Sequence, residues 1–263
     1  MNVTQPIGIF DSGVGGLSIW KEIVTLLPNE NTIYLADSIN APYGKKSNKE
    51  IINLSVKNTN LLLERGCKII VVACNTATTN AIDHLRNNYD VPFIGIEPAI
   101  KPAALKTRTN AIGILATKGT LSSKLFSSTS QKFAEGIKVI EQDGEGLVPL
   151  IEKGEVDSDE MHNLLKGYIH PMLKEQIDYL VLGCSHYPFL IPQIRTLVGE
   201  EVTIIDSGEA VARQTKAILE KYNLLKIENS RAKHQLYTNA DINIMKQIID
   251  KFQIECNISY LEF

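Results

Sequence analysis

An α/β protein made of two related halves, each with a mostly parallel sheet flanked by helices, is what this 263-residue chain predicts. Three observations carry that expectation. Short β-rich apolar runs alternate with longer segments of helical period, the pattern of parallel strands joined by crossover helices. The chain opens with a complete strand–turn–helix unit. Two strand-like words from the first half then recur in the second, in the same order and at nearly the same spacing.

Taken in order, "PIGIF" (6–10) reads as a buried strand and "DSGVGG" as the turn at its carboxyl end. "LSIWKEIVTLL" (17–27) is an amphipathic helix stopped by Pro28, and "TIYLA" (32–36) is the next strand. Further strands are predicted at 68–73, 92–96, 111–115, 137–141, 179–183 and 202–205, with helices most plainly at 48–65, 160–174 and 208–222. "HQLYT" and "CNISYLEF" then form two more strands around a helix at 241–252. The stretch "YGKKSNKE" reads as a solvated loop, and "DSG" at 206–208 as the N-cap of the helix beginning near Glu209. The echo joins "IGIFDSG" at residue 7 to "IGILATKG" at 112, an offset of 105, and "KIIVVACNT" to "DYLVLGCSH", with Cys74 and Cys184 offset by 110. Order and near-equal spacing together mark internal repetition. Each cysteine then falls at the carboxyl edge of a sheet, where open α/β folds bind ligands.

Composition narrows the function. A net charge of −3 and the lack of a basic, aromatic-interleaved patch argue against a nucleic-acid partner. The longest apolar runs, such as "IIVVA", are far shorter than the ~20 residues of a membrane span, and the N-terminus has no secretory pattern. A cytoplasmic location follows as the expectation. The four cysteines are therefore read as free thiols, and no zinc-type Cys/His spacing is present, so no metal is expected. Glycines 13, 15 and 16 lack the G-x-G-x-x-G spacing of a dinucleotide site. They read instead as allowing backbone N–H groups to approach a carboxylate at a helix start.

Cys74 and Cys184 each end an apolar run and precede residues that hydrogen-bond well: Asn75 and Thr76 after the first, Ser185 and His186 after the second. One such cysteine is as readily structural as functional; the matched pair shifts the balance. Two thiols facing across a cleft between related halves suit a reaction whose substrate and product are mirror images. One group removes a proton from one face of a stereocentre, and another returns a proton from the opposite face. A thiol of reference pKa ~8.5 reaches both protonation states with modest tuning. Asp11 and His186 stand near enough in sequence to assist, although Asp11 has an alternative role as turn-former or helix cap. Cys67 and Cys256, not followed by polar ligand-like residues in the manner of the other two, are read as structural.

The segments "GIFDSGVGGLS", "ADSINAPYG", "ACNTAT", "IGILATKGT", "PLIEKGE" and "GCSHYP" occur in the order seen in bacterial glutamate racemases, and the chain resembles that family over nearly its whole length. The resemblance implies two α/β domains facing each other across the active site, residues 1–96 plus 207–263 forming one and residues 97–206 the other. It implies cofactor-independent interconversion of L- and D-glutamate, without pyridoxal phosphate, for peptidoglycan synthesis. Cys74 is then the acid/base group for the D-enantiomer and Cys184 for the L-enantiomer, with Asp11, His186 and Glu152 as auxiliaries. Without the resemblance, Glu152 would read as an exposed helix charge. The substrate is lined by Asp11, Ser12, Tyr43, Gly44, Asn75, Thr76, Ser185 and His186, with Pro42 and Thr117 beside them. A homodimer is expected. The family usually carries threonine where Ser185 stands, a change that keeps the hydroxyl and loses a methyl.

Other readings stay open at this level. An aspartate racemase is the nearest, because pocket length is invisible in sequence. Binding and inhibition of DNA gyrase ranks low as a second activity, and the regulatory type with a long N-terminal extension is not expected. A thiol hydrolase using Cys184 and His186 would leave Cys74 unexplained.

Overall fold

In a computed structural model that describes residues 2–228 and 231–263, two parallel sheets carry the chain. The first half runs β1 (Ile7–Asp11), α1 (Leu17–Leu26), β2 (Thr32–Ala36), α2 (Asn48–Glu64), β3 (Ile69–Val72), α3 (Asn75–Asn88) and β4 (Phe93–Gly95). The second runs α4 (Ile100–Lys106), β5 (Ala111–Ala116), α5 (Lys118–Leu121), α6 (Lys124–Phe133), β6 (Lys138–Asp143), α7 (Leu147–Glu152), α8 (Asp159–Lys174), β7 (Tyr179–Gly183), α9 (Ile191–Val198) and β8 (Thr203–Ile205). α10 (Gly208–Lys221), β9 (His234–Thr238), α11 (Ile242–Phe252) and β10 (Asn257–Tyr260) complete it.

The sheet orders explain the sequence echo. One sheet is β10-β9-β2-β1-β3-β4 and the other β6-β5-β7-β8. Deleting the two added edge strands from the first leaves the same order in both, with β1 equivalent to β5 and β3 to β7. All the pairings are parallel. Central strands of such sheets are covered on both faces, which is why β1, β3 and β5 are buried at every position. Cys74 and Cys184 therefore leave equivalent central strands at equivalent edges.

The final segment comes back to the first sheet: β9 pairs with β2 and β10 with β9. One apolar cluster runs continuously from Ile7, Trp20 and Tyr34 in the first half to Leu165, Leu180 and Tyr187 in the second. Burial on that scale stabilises by roughly 25 cal/mol for each Å² removed from water, so the two sheets share a dry foundation below the cleft. The stretch "YGKKSNKE" is more ordered than a solvated loop. Tyr43–Lys45 is a 3-10 turn, and Ser47 and Glu50 form a reciprocal capping box at the start of α2. At 206–208 it is the Asp206 carboxylate that accepts from the Gly208 N–H, at 2.7 Å, while Ser207 turns its hydroxyl to the Glu97 carbonyl. Among the described residues, no helix is long and apolar enough to cross a membrane.

Candidate active site

The carboxyl edges of the two sheets enclose a narrow cavity, of about 10 Å³, lined by Ser12, Pro42, Tyr43, Gly44, Cys74, Asn75, Thr76, Thr117, Val148, Cys184, Ser185 and His186. Both strand-end cysteines thus open into one space. Of the residues expected at the site, Asp11 and Glu152 lie outside this wall, packed behind His186 and Ser185. Val148 was not anticipated: it sits in the apolar run of α7, where nothing distinguishes it from its buried neighbours.

The two thiols occupy different local structures. Cys74 is the N-cap of α3, and its sulfur accepts from the Ala77 N–H at 3.4 Å, the position a serine usually takes. Its other hydrogen-bond partner is the Ser12 hydroxyl, at 3.5 Å. Cys184 is followed by a 3-10 turn, Tyr187–Leu190, because Pro188 and Pro192 interrupt the chain where an α-helix would begin. Its sulfur lies 3.8 Å from Nδ1 of His186. Burial pushes the Cys74 thiol far above its ordinary value, and the negative charge of Asp11 adds to this. The hydrogen bonds that Cys74 shares with Ser12 and Ala77 act in the opposite direction and are outweighed. Cys74 is therefore held as the thiol.

Behind the cavity, carboxylates anchor the histidine. Oε1 of Glu152 meets Nε2 of His186 at 2.5 Å and accepts from the Val14 N–H at 2.7 Å, while Oε2 accepts from the Ser38 hydroxyl at 2.7 Å. Burial alone would lower the His186 pKa, but its bonds to Cys184 and Glu152 prevail and raise it well above the usual imidazole value. Asp11, fully buried, accepts at Oδ2 from the N–H groups of Gly13 (3.2 Å) and Gly16 (3.0 Å), and at Oδ1 from the Ser185 hydroxyl (3.1 Å). Its Oδ2 is 4.0 Å from Nδ1 of His186. Burial raises its pKa, opposed by His186. Asp11 is therefore both helix-start acceptor and neighbour of His186, and the Cys74 thiol donates its side-chain hydrogen bond to Ser12 instead.

The glycines have a steric reason. A Cβ at Gly13 would collide with the Glu152 carboxylate, one at Gly15 with the His186 ring, and one at Gly16 with Asp11. The N–H groups of residues 13, 14 and 16 do meet carboxylates, and those carboxylates are the protein's own. Ser185, where the family pattern has threonine, uses its retained hydroxyl on Asp11. Thr76 and Thr117 close the far side through a 2.9 Å hydroxyl–hydroxyl contact. Among the described residues neither amide atom of buried Asn75 has a hydrogen-bond partner, and its side chain lies at the cavity wall. A wider groove outside shares Pro42, Gly44, Thr117 and Val148 with the cavity, and Lys45 and Glu145 pair across it at 2.9 Å. Cys67 and Cys256 lie away from this space, with burial pushing their thiols up to about 12 and about 11.

The two thiols stand at equivalent edges of two facing sheets, one beside a hydroxyl and one beside an imidazole, an arrangement that can serve acid/base chemistry from two directions. The sequence pattern of the Asp/Glu/hydantoin racemase family matches residues 7–215. A glutamate racemase from Herpetosiphon aurantiacus is 44% identical over 251 residues, 95% of this chain and 99% of that one. Among solved structures, a glutamate racemase isoform from Bacillus anthracis superposes with a TM-score of 0.86 at 31% identity, covering 98% of each chain. The Escherichia coli glutamate racemase, solved with L-glutamate and the activator UDP-MurNAc-ala, gives 0.85 at 32% identity, again over 98% of each.

Proposed function

The chain belongs to the Asp/Glu/hydantoin racemase family, and on that premise we propose that it interconverts L- and D-glutamate with Cys74 and Cys184 as opposed acid/base groups. The observation that carries this reading is the opening of both sulfurs, from equivalent strands of two facing sheets, into one cavity. In the L-to-D direction the Cys184 thiolate takes the α-proton while the Cys74 thiol delivers its own proton to the other face. The reverse direction exchanges the roles. Each thiol ends a turnover in the state its partner began in.

The surroundings fit these parts. Cys74 rests protonated, ready to act as the acid, and burial makes its later thiolate a strong base. His186, held cationic by Glu152, lies beside Cys184 and stabilises a thiolate there. Asp11 fixes Ser185 from behind. Ser12, Asn75, Thr76, Thr117, Tyr43 and Gly44 are the candidates to hold the two carboxylates and the amine. The sheets with their helices are taken as two domains, residues 1–96 plus 207–263 and residues 97–206, with the cavity between them.

D-glutamate made in the cytoplasm for peptidoglycan is the role this activity implies, and self-association into a homodimer belongs to the same reading. Gyrase binding keeps its low rank. The test is a chirality assay with L- and D-glutamate and with aspartate, on the wild type and on Cys74→Ala and Cys184→Ala. Glutamate racemisation by the wild type and none by either variant is expected. Turnover of aspartate with glutamate untouched would overturn the substrate, and full activity in either variant would overturn the residues.

A further inference from the structure

The "ADSINAPYG" segment sends Pro42, Tyr43 and Gly44 to the cavity wall, but Asp37 within it touches none of the reacting groups described above. This carboxylate is fully buried at the first position beyond β2, where its N–H donates to the Asp11 carbonyl at 3.1 Å. Donors reach it from four places. The Tyr43 hydroxyl donates to Oδ2 at 2.5 Å, and Asn40 (2.8 Å) and Asn239 (2.6 Å) donate through Nδ2 to Oδ1. The Lys57 ammonium, on the exposed side, stands 3.7 Å from Oδ1. Asn239 comes from just beyond β9 and also accepts the Ile39 N–H at 3.0 Å, so the added edge of the sheet is tied to the start of the segment that carries Pro42, Tyr43 and Gly44. Asn58 of α2 donates to the Tyr43 oxygen at 3.1 Å.

This arrangement decides what Tyr43 can do. Its proton is engaged by a carboxylate, and one of its lone pairs is engaged by Asn58. Giving the proton to a ligand would break a charge-assisted bond in a buried place. The phenol therefore serves as an anchor, and the ring and backbone of the Pro42–Gly44 turn are what face the substrate. Gly44 sits so close to Thr117 and Gly119 across the cleft that a Cβ on it would lie 3.1 Å from the Thr117 Cβ, so a small shift of this turn changes the closure of the cavity.

We propose that Asp37 is a positioning residue for racemisation: seated by Asn239, Asn40 and Lys57, it grips the Tyr43 hydroxyl and thereby sets the wall of the substrate cavity. The proposal rests on the racemase reading above. The variants are D37N, Y43F and their combination. D37N keeps shape but turns an amide N–H₂ toward one of the existing donors, and Y43F removes only the hydroxyl.

KM for both enantiomers is expected to rise about tenfold in each single variant while kcat changes by less than about threefold, the signature of lost ground-state positioning. The double variant should be within about twofold of the worse single one, because both changes act through one bond. Hydrogen exchange without substrate should show the amides of residues 40–46 opening about tenfold faster in both single variants, with β1 and β3 as protected as in the wild type. Unmoved KM and exchange, multiplying effects in the double variant, or protection lost throughout the sheet would each overturn the proposal. Failure of the wild type to turn over glutamate would sink the substrate assignment instead, and the exchange measurement would still decide whether Asp37 holds the turn.

Discussion

Replacing Glu152 by Gln isolates what its charge does for His186. The side chain is 13% exposed, and its three bonds go to His186, Val14 and Ser38. A glutamine can keep the geometry: its oxygen accepts from Val14 and from the imidazole, and its N–H₂ donates to the Ser38 oxygen. Only the charge is lost. A hydrogen bond to a charged group contributes ~1.5–3 kcal/mol against ~0.5–1.5 for a neutral one, so the difference is about 1–1.5 kcal/mol. The His186 pKa should therefore fall, because the Glu152 charge is one of the causes that raise it. If the imidazolium supports the Cys184 thiolate, the same energy slows proton transfer there about tenfold. Enantiomers have equal free energies in water, so kcat/KM must fall by the same factor in both directions. The assay pairs an NMR titration of His186 with circular-dichroism progress curves from each enantiomer. An unchanged His186 titration, or a tenfold loss of activity without a change in that titration, would refute the electrostatic role.

The remaining expectations concern pH, space and stability. With the Cys74 thiol raised by burial, little thiolate exists at neutral pH, so D-glutamate turnover should increase as pH rises from about 7 to 9; a flat profile would contradict the assignment. A histidine whose folded pKa is raised stabilises the protein fully below its unfolded value of ~6.5 and loses that contribution as pH passes the folded value. The stability gap between wild type and His186→Gln in urea titrations should therefore be widest below about pH 6.5 and shrink above it. Gly15→Ala would force the His186 ring aside, costing ~1–3 kcal/mol in overpacking and on the order of 10²-fold in kcat, with the sheets intact by far-UV circular dichroism. Away from the site, Lys68 and Glu30 form a buried pair at 2.6 Å, with Lys68 also donating to the carbonyls of Val3 and Leu224. Lys68→Met should destabilise by ~3–5 kcal/mol in chemical denaturation by leaving Glu30 unpaired, and should leave the KM of the surviving folded enzyme unchanged.

Much of the architecture was legible because parallel strands buried on both faces are written as continuous apolar runs. The echo between residues 7 and 112 turned out to mark β1 and β5, equivalent central strands of two sheets with one topology. Helix α3 was harder to see, since "NTATTNAIDHLRNN" is rich in polar and β-branched residues and is held by packing and by its cysteine cap. At the site, Cys184 and His186 were readable as neighbours because they are two residues apart. The grip of Glu152 on Val14 and Ser38 spans 138 and 114 residues, and no local pattern encodes it. Nor could spacing tell that Ser12, rather than Asp11, turns toward the Cys74 sulfur, because that depends on which way a tight glycine turn aims adjacent side chains. Val148 and Asp37 gave no signal for other reasons: one is an apolar residue among apolar residues, the other a loop acid whose partners include Lys57 and Asn239 from other elements.

The claim that two thiols act from opposite sides is tested most directly by the fate of the α-proton. L-glutamate is incubated with the wild-type protein in deuterium oxide, and both enantiomers are separated and weighed by mass spectrometry early in the reaction. The account predicts D-glutamate carrying deuterium at Cα, delivered from an exchanged thiol, while recovered L-glutamate still carries protium. D-glutamate that keeps the original hydrogen would mean that one group carried it across both faces, and would contradict the two-thiol account.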